Sequence, residues 1–319
     1  MTETYKQDPP FCIQIEFTQG CNLHCEFCGL NGIQGPKPDY KFMTVEVAKR
    51  ITDLIKQDGW NCRLEFAMHG EPSANPDMLE LLSIFRKRLP RSIHMMMTSN
   101  GYGFMKDPTT TIDEALKYLN VLAIDWYENV QIVPKILERY KGVHIVHRYP
   151  QNQKTNPHHR RKPIDHDLVV IQDIVVATQG VHSTLNNHCG CGSPKNQKMQ
   201  GKRCAKPFRE MSIRWDGSVA ICCNDWRGIY QCGNVMTMTL EEIWQSPAFA
   251  AARKKLYHGE RTFDPCDGCD ASSYRIGLLP DKLGKKTLEQ ATPEDDRVIR
   301  EVLRQKCLTL PVLREWEKV

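Results

Sequence analysis

The sequence has 319 residues, 40% of them hydrophobic and 25% charged, with a formal net charge of +5, which is typical of a globular protein long enough for one large α/β domain and a smaller one. The first ten residues lack the apolar segment of a signal peptide, and no stretch approaches the roughly 20 apolar residues of a membrane span, so we expect a cytoplasmic protein without membrane contact. The modest positive charge is a weak indication of an acidic partner, and a solvated basic surface explains it better.

The first predicted strand is the alternating run of residues 11–17, which leads into a loop with three cysteines. Cys21, Cys25 and Cys28 have the spacing C-x3-C-x2-C, and iron–sulfur clusters are held by such short runs of thiolates, usually four for each cluster. Since no fourth cysteine follows nearby, a [4Fe–4S] cluster here would keep one iron open to a small molecule, which argues for catalysis. The alternatives are a zinc site, which commonly uses four ligands in C-x2-C pairs, and three unrelated buried thiols.

Helices and strands alternate after this loop. The predicted elements are a helix capped by Thr44, a strand over 62–68, a helix over 78–88, a strand over 92–97, a helix over 112–119, a strand over 121–125, a helix over 132–140, and strands over 143–147 and 168–177. Such alternation implies a parallel sheet with right-handed crossovers, whose sites lie at the C-terminal ends of the strands. Six βα units predict an α/β fold with a partial (β/α)6 TIM-like barrel, open on one side.

A second set of cysteines begins near residue 190, where the alternation stops. A hairpin predicted around the turn at 215–218 would bring Cys204 and Cys222 together. Cys266 and Cys269, spaced C-x2-C, would complete a closed site of four thiolates. Fourteen cysteines in a chain without an export signal indicate metal or redox chemistry, because the cytosol keeps thiols reduced. Zinc is the alternative metal for these four ligands.

Four further cysteines of this region have no assigned role. Cys189 and Cys191 lie at the junction between the predicted barrel and the second cysteine set. A thiol there could donate a hydrogen atom to a product radical or ligate a cluster, or have no role. Cys223 follows a predicted ligand directly and is expected to point away from the metal, and Cys232 is unassigned.

The first triplet, with Phe27 in its aromatic position, resembles the C-x3-C-x-aromatic-C signature of the radical S-adenosylmethionine (radical SAM) superfamily. The resemblance implies that the open iron binds the amino and carboxylate groups of SAM. Reductive cleavage then gives methionine and a 5′-deoxyadenosyl radical that abstracts a substrate hydrogen. The resemblance also implies an external one-electron reductant, such as a flavodoxin or a ferredoxin-like protein.

The segment Gly70, Glu71 and Pro72 at the end of the second strand is similar to the Gly-Gly-Glu-Pro segment of this family, with His69 in place of the first glycine. The resemblance implies that the backbone here meets the amino group of SAM, where carbonyls and Glu71 act as acceptors. From the residues alone, Glu71 could equally begin a helix.

Three more residues are assigned to SAM by the resemblance. Ser99 and Asn100 end the third strand and would bind the ribose or the carboxylate. Arg148 ends the fifth strand, and a guanidinium suits the SAM carboxylate by a forked hydrogen-bonded pair. The alternatives are a turn at Asn100 and a surface charge at Arg148.

The second cysteine set resembles the SPASM/twitch extension of radical SAM enzymes, on the residues that surround it at 222–225, 233–235 and 240–244. A full SPASM domain has further cysteines after the C-x2-C pair and holds two clusters. The resemblance therefore implies the shortened twitch form, in which Cys204, Cys222, Cys266 and Cys269 hold one auxiliary [4Fe–4S] cluster. The expected domains are a radical SAM barrel over 1–190, an auxiliary cluster domain over 191–275 and a helical tail over 276–319.

These resemblances predict a radical SAM oxidoreductase or modifying enzyme whose auxiliary cluster assists the oxidation or modification of a peptide or a small molecule. Modification of a nucleotide or nucleic acid is an alternative, which the basic run at 157–163 supports weakly. An alternative of another class is a non-catalytic iron–sulfur electron carrier or a zinc-binding module. An electron carrier has no use for an open iron.

Overall fold

The computed structural model describes residues 7–104, 108–125, 132–140, 144–147, 167–172, 186–192 and 199–271. The strands in these ranges are β1 Cys12–Ile15, β2 Thr18–Gln19, β3 Lys41–Phe42, β4 Arg63–Phe66, β5 Met95–Ser99, β6 Val121–Asp125, β7 His144–His147, β8 Asp167–Gln172, β9 Glu210–Ile213, β10 Ser218–Ala220 and β11 Gln231–Asn234. The α-helices are α1 Val45–Gln57, α2 Met78–Arg88, α3 Pro108–Leu116, α4 Ile132–Arg139, α5 Lys206–Arg209, α6 Leu240–Trp244 and α7 Pro247–Tyr257. None of the helices in these ranges is long and apolar enough to cross a membrane.

One sheet joins both halves of the chain. Its order is β11-β10-β9-β1-β4-β5-β6-β8-β7, and all pairs from β9 to β7 are parallel. The predicted α/β class with a parallel sheet is therefore confirmed, and the sheet stays open across the described strands. β8 lies between β6 and β7, so the fifth and sixth strands exchange places relative to a sequential barrel.

The hairpin of the second cysteine set extends this sheet. β9 pairs in parallel with β1, with Cys12 opposite Glu210 and Ile15 opposite Ile213. β10 and β11 then follow as antiparallel strands, and the turn that the sequence predicted over 215–218 joins β9 to β10. The auxiliary region is thus anchored to the edge of the barrel sheet beside the strand that delivers the first cysteine loop.

Several element bounds differ from the prediction. The predicted second strand ends at Phe66 rather than 68, and the third runs from Met95 to Ser99 rather than over 92–97. The helix predicted over 112–119 begins at Pro108, because proline suits the first helical turn, where its missing N–H has no partner to lose. The predicted tail over 276–319, the basic run at 157–163 and Arg148 lie outside the described residues.

The two faces of the sheet have different characters, because successive side chains of a strand point to opposite faces. Ile13, Ile15 and Phe66 belong to the hydrophobic core that α1 and α2 cover. Gln14 has Glu65 and Ser212 as its register partners on the neighbouring strands, and its Nε2 donates to Glu65 Oε2 at 3.2 Å. One face is therefore apolar and covered by helices, and the other carries polar side chains.

Candidate functional site

The first cysteine loop begins where β2 ends and passes directly beside the end of β4. Gly20 forms a parallel bridge with Gly70. A Cβ on Gly70 would lie 2.4 Å from the backbone oxygens of both Thr18 and Gly20. Only glycine permits this approach, so the glycine of the predicted SAM segment fixes the position of the loop against the strand end.

Cys21, Cys25 and Cys28 lie together in this loop and are partly exposed. The N–H of Cys28 donates to the carbonyl of Cys25 at 2.9 Å. Cys21 lies close enough to both other thiols for their charges to act on it, and Cys25 is acted on by Cys28 in the same way. The structure thus brings the predicted triplet together in one group.

The environment of these thiols suits a metal cluster. The N–H of Leu23 and the Nδ2 of Asn100 each donate to Cys21 Sγ at 3.3 Å, and hydrogen bonds to ligand sulfurs are typical of iron–sulfur sites. Burial raises the pKa of the Cys21 and Cys25 thiols to about 12, and the negative charge of Glu71 raises that of Cys21 further. A metal group supplies the positive charge that deprotonates such thiols, so the residues fit a [4Fe–4S] cluster.

Glu71 is almost fully buried and joins the ends of two strands. Its Oε1 accepts from the N–H of Ser73 at 2.8 Å and from the hydroxyls of Ser73 and Ser99, each at 2.5 Å. Its Oε2 accepts from the N–H of Asn100 at 2.6 Å. Burial raises the pKa of Glu71, and these hydrogen bonds oppose the rise. Glu71 also caps the short helical turn Pro72–Ala74, as the alternative interpretation of this residue expected.

The remaining predicted SAM residues have different positions. Asn100 contacts the cysteine loop, where its Nδ2 also donates to Asn22 Oδ1 at 3.0 Å. Its Oδ1 accepts from the N–H of Tyr102 at 2.9 Å, so the expected turn is present as well. Ser99 lies behind Asn100 and contacts Glu71 rather than the loop. Phe27 is partly buried within the loop.

His69, which stands where the family has a glycine, connects the barrel to the auxiliary region. It is fully buried, its Nδ1 lies 2.8 Å from Glu16 Oε1, and its Nε2 lies 2.8 Å from the carbonyl oxygen of Cys223. Because a carbonyl only accepts, this Nε2 carries a hydrogen. The ring also packs on Trp226 at a centroid distance of 4.7 Å. Sequence analysis noted His69 only as a departure from the family pattern and missed this role.

We expect His69→Ala to lower the free energy of unfolding by about 3 kcal/mol, since it removes the group that faces Oε1 of the buried Glu16 carboxylate and leaves only the contacts of Arg214 and Trp215 with Oε2. Chemical denaturation of the apo protein measures this change. The double variant with Glu16→Gln, which removes the buried charge, should recover part of the loss. Equal destabilisation in the single and the double variant would contradict a charge-based role for His69.

The four predicted auxiliary ligands also come together. Cys204, Cys222, Cys266 and Cys269 are buried. Cys266 is acted on by the charges of Cys204 and Cys269, and Cys222 by those of Cys266 and Cys269. Burial raises the pKa of the Cys204, Cys222 and Cys266 thiols. Across the described ranges, no three His, Cys, Asp or Glu side chains are grouped so as to hold a single metal ion.

Arg261 is a further residue of this site that sequence analysis missed. It is 1% exposed, and it donates to the carbonyls of Lys202 at 2.8 Å, Arg203 at 3.0 Å and Cys269 at 3.4 Å. It therefore ties the segment before Cys204 to the end of the C-x2-C turn. Its positive charge opposes the effect of burial on the pKa of Cys204, which suits a site for thiolates. No motif in the sequence singles it out.

The loop over 187–192 lies between the two cysteine sites. Cys191 packs with Leu30 and Trp226, and Cys28 lies against this cluster. Gly192 approaches the first loop so closely that a Cβ on it would lie 2.8 Å from the carbonyl oxygen of Phe27. Cys189, two residues earlier, packs instead with Cys269 and Ala271. This one short loop therefore contacts both candidate centres.

Family models match the two halves of this arrangement. The model of the radical SAM superfamily matches residues 15–141, which include the first cysteine triplet. The SPASM model, described as an iron–sulfur cluster-binding domain, matches residues 204–270, which include the four auxiliary cysteines. No curated protein matches this sequence at a significant level.

Two solved structures of BtrN share the fold at low sequence identity, and a third structure is less similar. The crystal structure of BtrN in complex with AdoMet and 2-DOIA is 15% identical, covers 84% of this chain and 96% of that chain, and has a TM-score of 0.64. The structure of selenomethionine BtrN in an open conformation is 16% identical, covers 83% of this chain and 94% of that chain, and has a TM-score of 0.56. A histidine-tagged anSMEcpe with bound AdoMet is 15% identical, covers 76% and 82%, and has a TM-score of 0.46.

The predicted resemblance is confirmed in both halves of the chain. The matched ranges are those in which the structure groups Cys21, Cys25 and Cys28, and Cys204, Cys222, Cys266 and Cys269. Residues 15–141 are therefore a radical SAM domain and residues 204–270 a SPASM iron–sulfur cluster-binding domain, so that the cofactors of this chain are [4Fe–4S] clusters and SAM.

Proposed function

We propose that this chain is an oxidoreductase or modifying enzyme that removes a hydrogen atom from its substrate at the first cysteine loop. The observation that carries the proposal is the grouping of Cys21, Cys25 and Cys28 in one loop, with three rather than four thiols. When bound, the cluster and SAM supply a hydrogen-abstracting radical, and an auxiliary cluster supplies a one-electron acceptor.

The ends of β4 and β5 are proposed to hold SAM against the cysteine loop. Gly70, Glu71 and Pro72 would meet its amino group through their backbone, while the Glu71 carboxylate keeps the two strand ends together through its internal hydrogen bonds. Asn100, which already reaches Cys21, would bind the ribose or carboxylate. Ser99 and Phe27 would position these groups, and Arg148 keeps its proposed role in pairing with the carboxylate.

Cys204, Cys222, Cys266 and Cys269 are proposed to hold one auxiliary [4Fe–4S] cluster. Their burial and the nearby charge of Arg261 support this assignment. An electron acceptor next to the substrate makes the net reaction an oxidation, because the substrate loses a hydrogen atom and then an electron and a proton. The proposed domain division is a barrel over 1–190, an auxiliary domain over 191–275 and a tail over 276–319.

The proposed substrate is a polar small molecule or a peptide. Gln14, Glu65 and Ser212 adjoin one another on neighbouring strands. Gln14 Oε1 and Ser212 Oγ are buried with no hydrogen-bond partner among the described residues, and a substrate with hydroxyl, amide or charged groups would satisfy them. BtrN, which shares the fold, has been crystallised in complex with AdoMet and 2-DOIA. A flavodoxin or ferredoxin-like protein in the cytoplasm is the proposed reductant.

Anaerobic reconstitution with iron and sulfide, followed by dithionite and SAM, tests the proposal. We expect 5′-deoxyadenosine to accumulate, as measured by liquid chromatography and mass spectrometry. If the chain has both clusters loaded and forms no 5′-deoxyadenosine, it is instead an electron carrier. If it binds zinc and no iron, it is a zinc-binding module.

A further inference from the structure

A fifth thiol lies at the auxiliary site. The side chain of Cys189 packs against Cys269 in one buried cluster, and Cys189 is close enough to Cys269, Cys222 and Cys266 for their charges to act on it. Its side chain is 6% exposed and packs against Cys269 and Ala271. A [4Fe–4S] cluster takes four thiolates as a rule. Cys189 is therefore one thiol more than the site needs for ligation.

The backbone around Cys189 is held in a conformation that points this thiol at the site. His188 and Cys189 have φ values of 50° and 54°, in the left-handed region that non-glycine residues rarely adopt. Such strain persists only where the surroundings impose it, and it concentrates at functional positions. A glycine at either position would adopt this conformation without cost, so the side chains present are not explained by the turn itself.

Asn187 clamps this strained turn onto the C-x2-C turn. Its Nδ2 donates to the carbonyl of Gly268 at 2.7 Å, its N–H donates to Asp270 Oδ1 at 2.6 Å, and its Oδ1 accepts from the N–H of Asp270 at 3.3 Å. These three bonds link the residue two positions before Cys189 to the residues on either side of Cys269. These hydrogen bonds therefore hold Cys189 next to Cys269.

We propose that Cys189 is a positioning residue of the auxiliary centre, whose S–H donates a hydrogen bond to the sulfur of the ligand Cys269 and raises the reduction potential of the cluster. This inference rests on the proposed function, in which Cys269 is a cluster ligand.

The physical basis is the charge on the ligand sulfur. Cys269 Sγ accepts the N–H of Ala271 at 3.4 Å, so the S–H of Cys189 would be a second donor to the same sulfur. Donors withdraw electron density from a thiolate and favour the reduced, more negative cluster, which raises the potential. A higher potential would make this cluster a better acceptor of an electron from the substrate.

The test compares Cys189→Ala and Cys189→Ser with the unaltered full-length holoenzyme. Alanine keeps the Cβ, so the backbone strain is unchanged while the donor is removed, and serine keeps an O–H donor. Cys191→Ala is the matched control, because it removes a buried thiol of the same loop that faces the first centre. The readouts are iron and sulfide content and a redox titration followed by electron paramagnetic resonance. Added SAM perturbs the resonance signal of the first cluster and so separates it from the signal of the auxiliary cluster.

In Cys189→Ala we expect an unchanged iron content and a shift of the auxiliary cluster to a lower potential. Cys189→Ser should shift less than Cys189→Ala, and Cys191→Ala should leave this potential unchanged. An unshifted potential in Cys189→Ala overturns the inference, as does a loss of about four irons, which would make Cys189 a ligand. If the unaltered protein itself holds no second cluster, the proposed function has failed at this site. The iron content of the unaltered protein distinguishes this outcome from an unshifted potential and from a loss of iron in Cys189→Ala.

Discussion

Replacement of Cys25 with alanine is expected to reduce 5′-deoxyadenosine formation to the background of a protein-free control. With three thiols in the loop and one iron reserved for SAM, each thiol would hold one iron of the cluster, and no other thiol of this loop could replace it. Cys25 is close enough to Cys28 and to the carboxylate of Asp125 for their charges to act on it, so its removal would take away one of the three proposed ligands. Single-turnover assays with dithionite and SAM measure the product.

The iron content separates loss of the cluster from loss of the fold. Cys25→Ala should lose about four irons per chain and keep the auxiliary cluster. Cys232→Ala is the control, since it removes a buried thiol of β11 that has no proposed ligand role, and it should keep both clusters and the cleavage of SAM. SAM cleavage by Cys25→Ala at a rate near that of the unaltered enzyme would refute the assignment of the first site.

The double variant Cys266→Ala and Cys269→Ala is expected to lose the auxiliary cluster and keep part of the SAM cleavage. The pair lies in the C-x2-C turn, whereas SAM is proposed to bind at the ends of β4 and β5, so the first centre keeps all of its own ligands. Net oxidation of the substrate should be blocked, because no acceptor remains for its second electron. Iron analysis should show a loss of about four irons per chain.

The measurements for this double variant are iron content, 5′-deoxyadenosine and, once a substrate is in hand, its oxidised product. Because Cys266 belongs to the hydrophobic core, circular dichroism of the variant must first show an intact fold. Cys232→Ala is again the matched control. If the double variant forms oxidised product at the normal rate, the auxiliary cluster takes no part in the reaction.

Local spacing made the grouping of the first three cysteines, and of Cys266 with Cys269, predictable. The C-x3-C-x2-C and C-x2-C runs are each confined to a single loop, so these thiols lie close together, whereas the approach of Cys204 to Cys222 follows from the predicted hairpin. The same holds for α1, which begins at the predicted cap, where Thr44 Oγ1 accepts from the N–H of Val47 at 3.3 Å. The parallel sheet followed from the alternation of elements, since parallel strands need a crossover between them.

Long-range contacts were not predictable in the same way. The pairing of β9 with β1 joins segments almost two hundred residues apart, and the exchange of β7 and β8 in the sheet leaves no trace in the alternation. His69 reaches the carbonyl of Cys223, and Arg261 reaches four carbonyls on two segments. Such contacts depend on backbone carbonyl oxygens, which every residue type has, so no pattern of side chains predicts them.

The sequence by itself determined which residues can ligate iron, because thiolate chemistry and close spacing are properties of the residues. Only the tertiary structure decided that Cys189 belongs with the auxiliary thiols while Cys191 faces the first centre. Two residues apart, they point to different sites because the chain between them takes a left-handed turn, which is fixed by the bonds of Asn187 to Gly268 and Asp270. That turn is held by a segment about eighty residues away, and no local pattern encodes it.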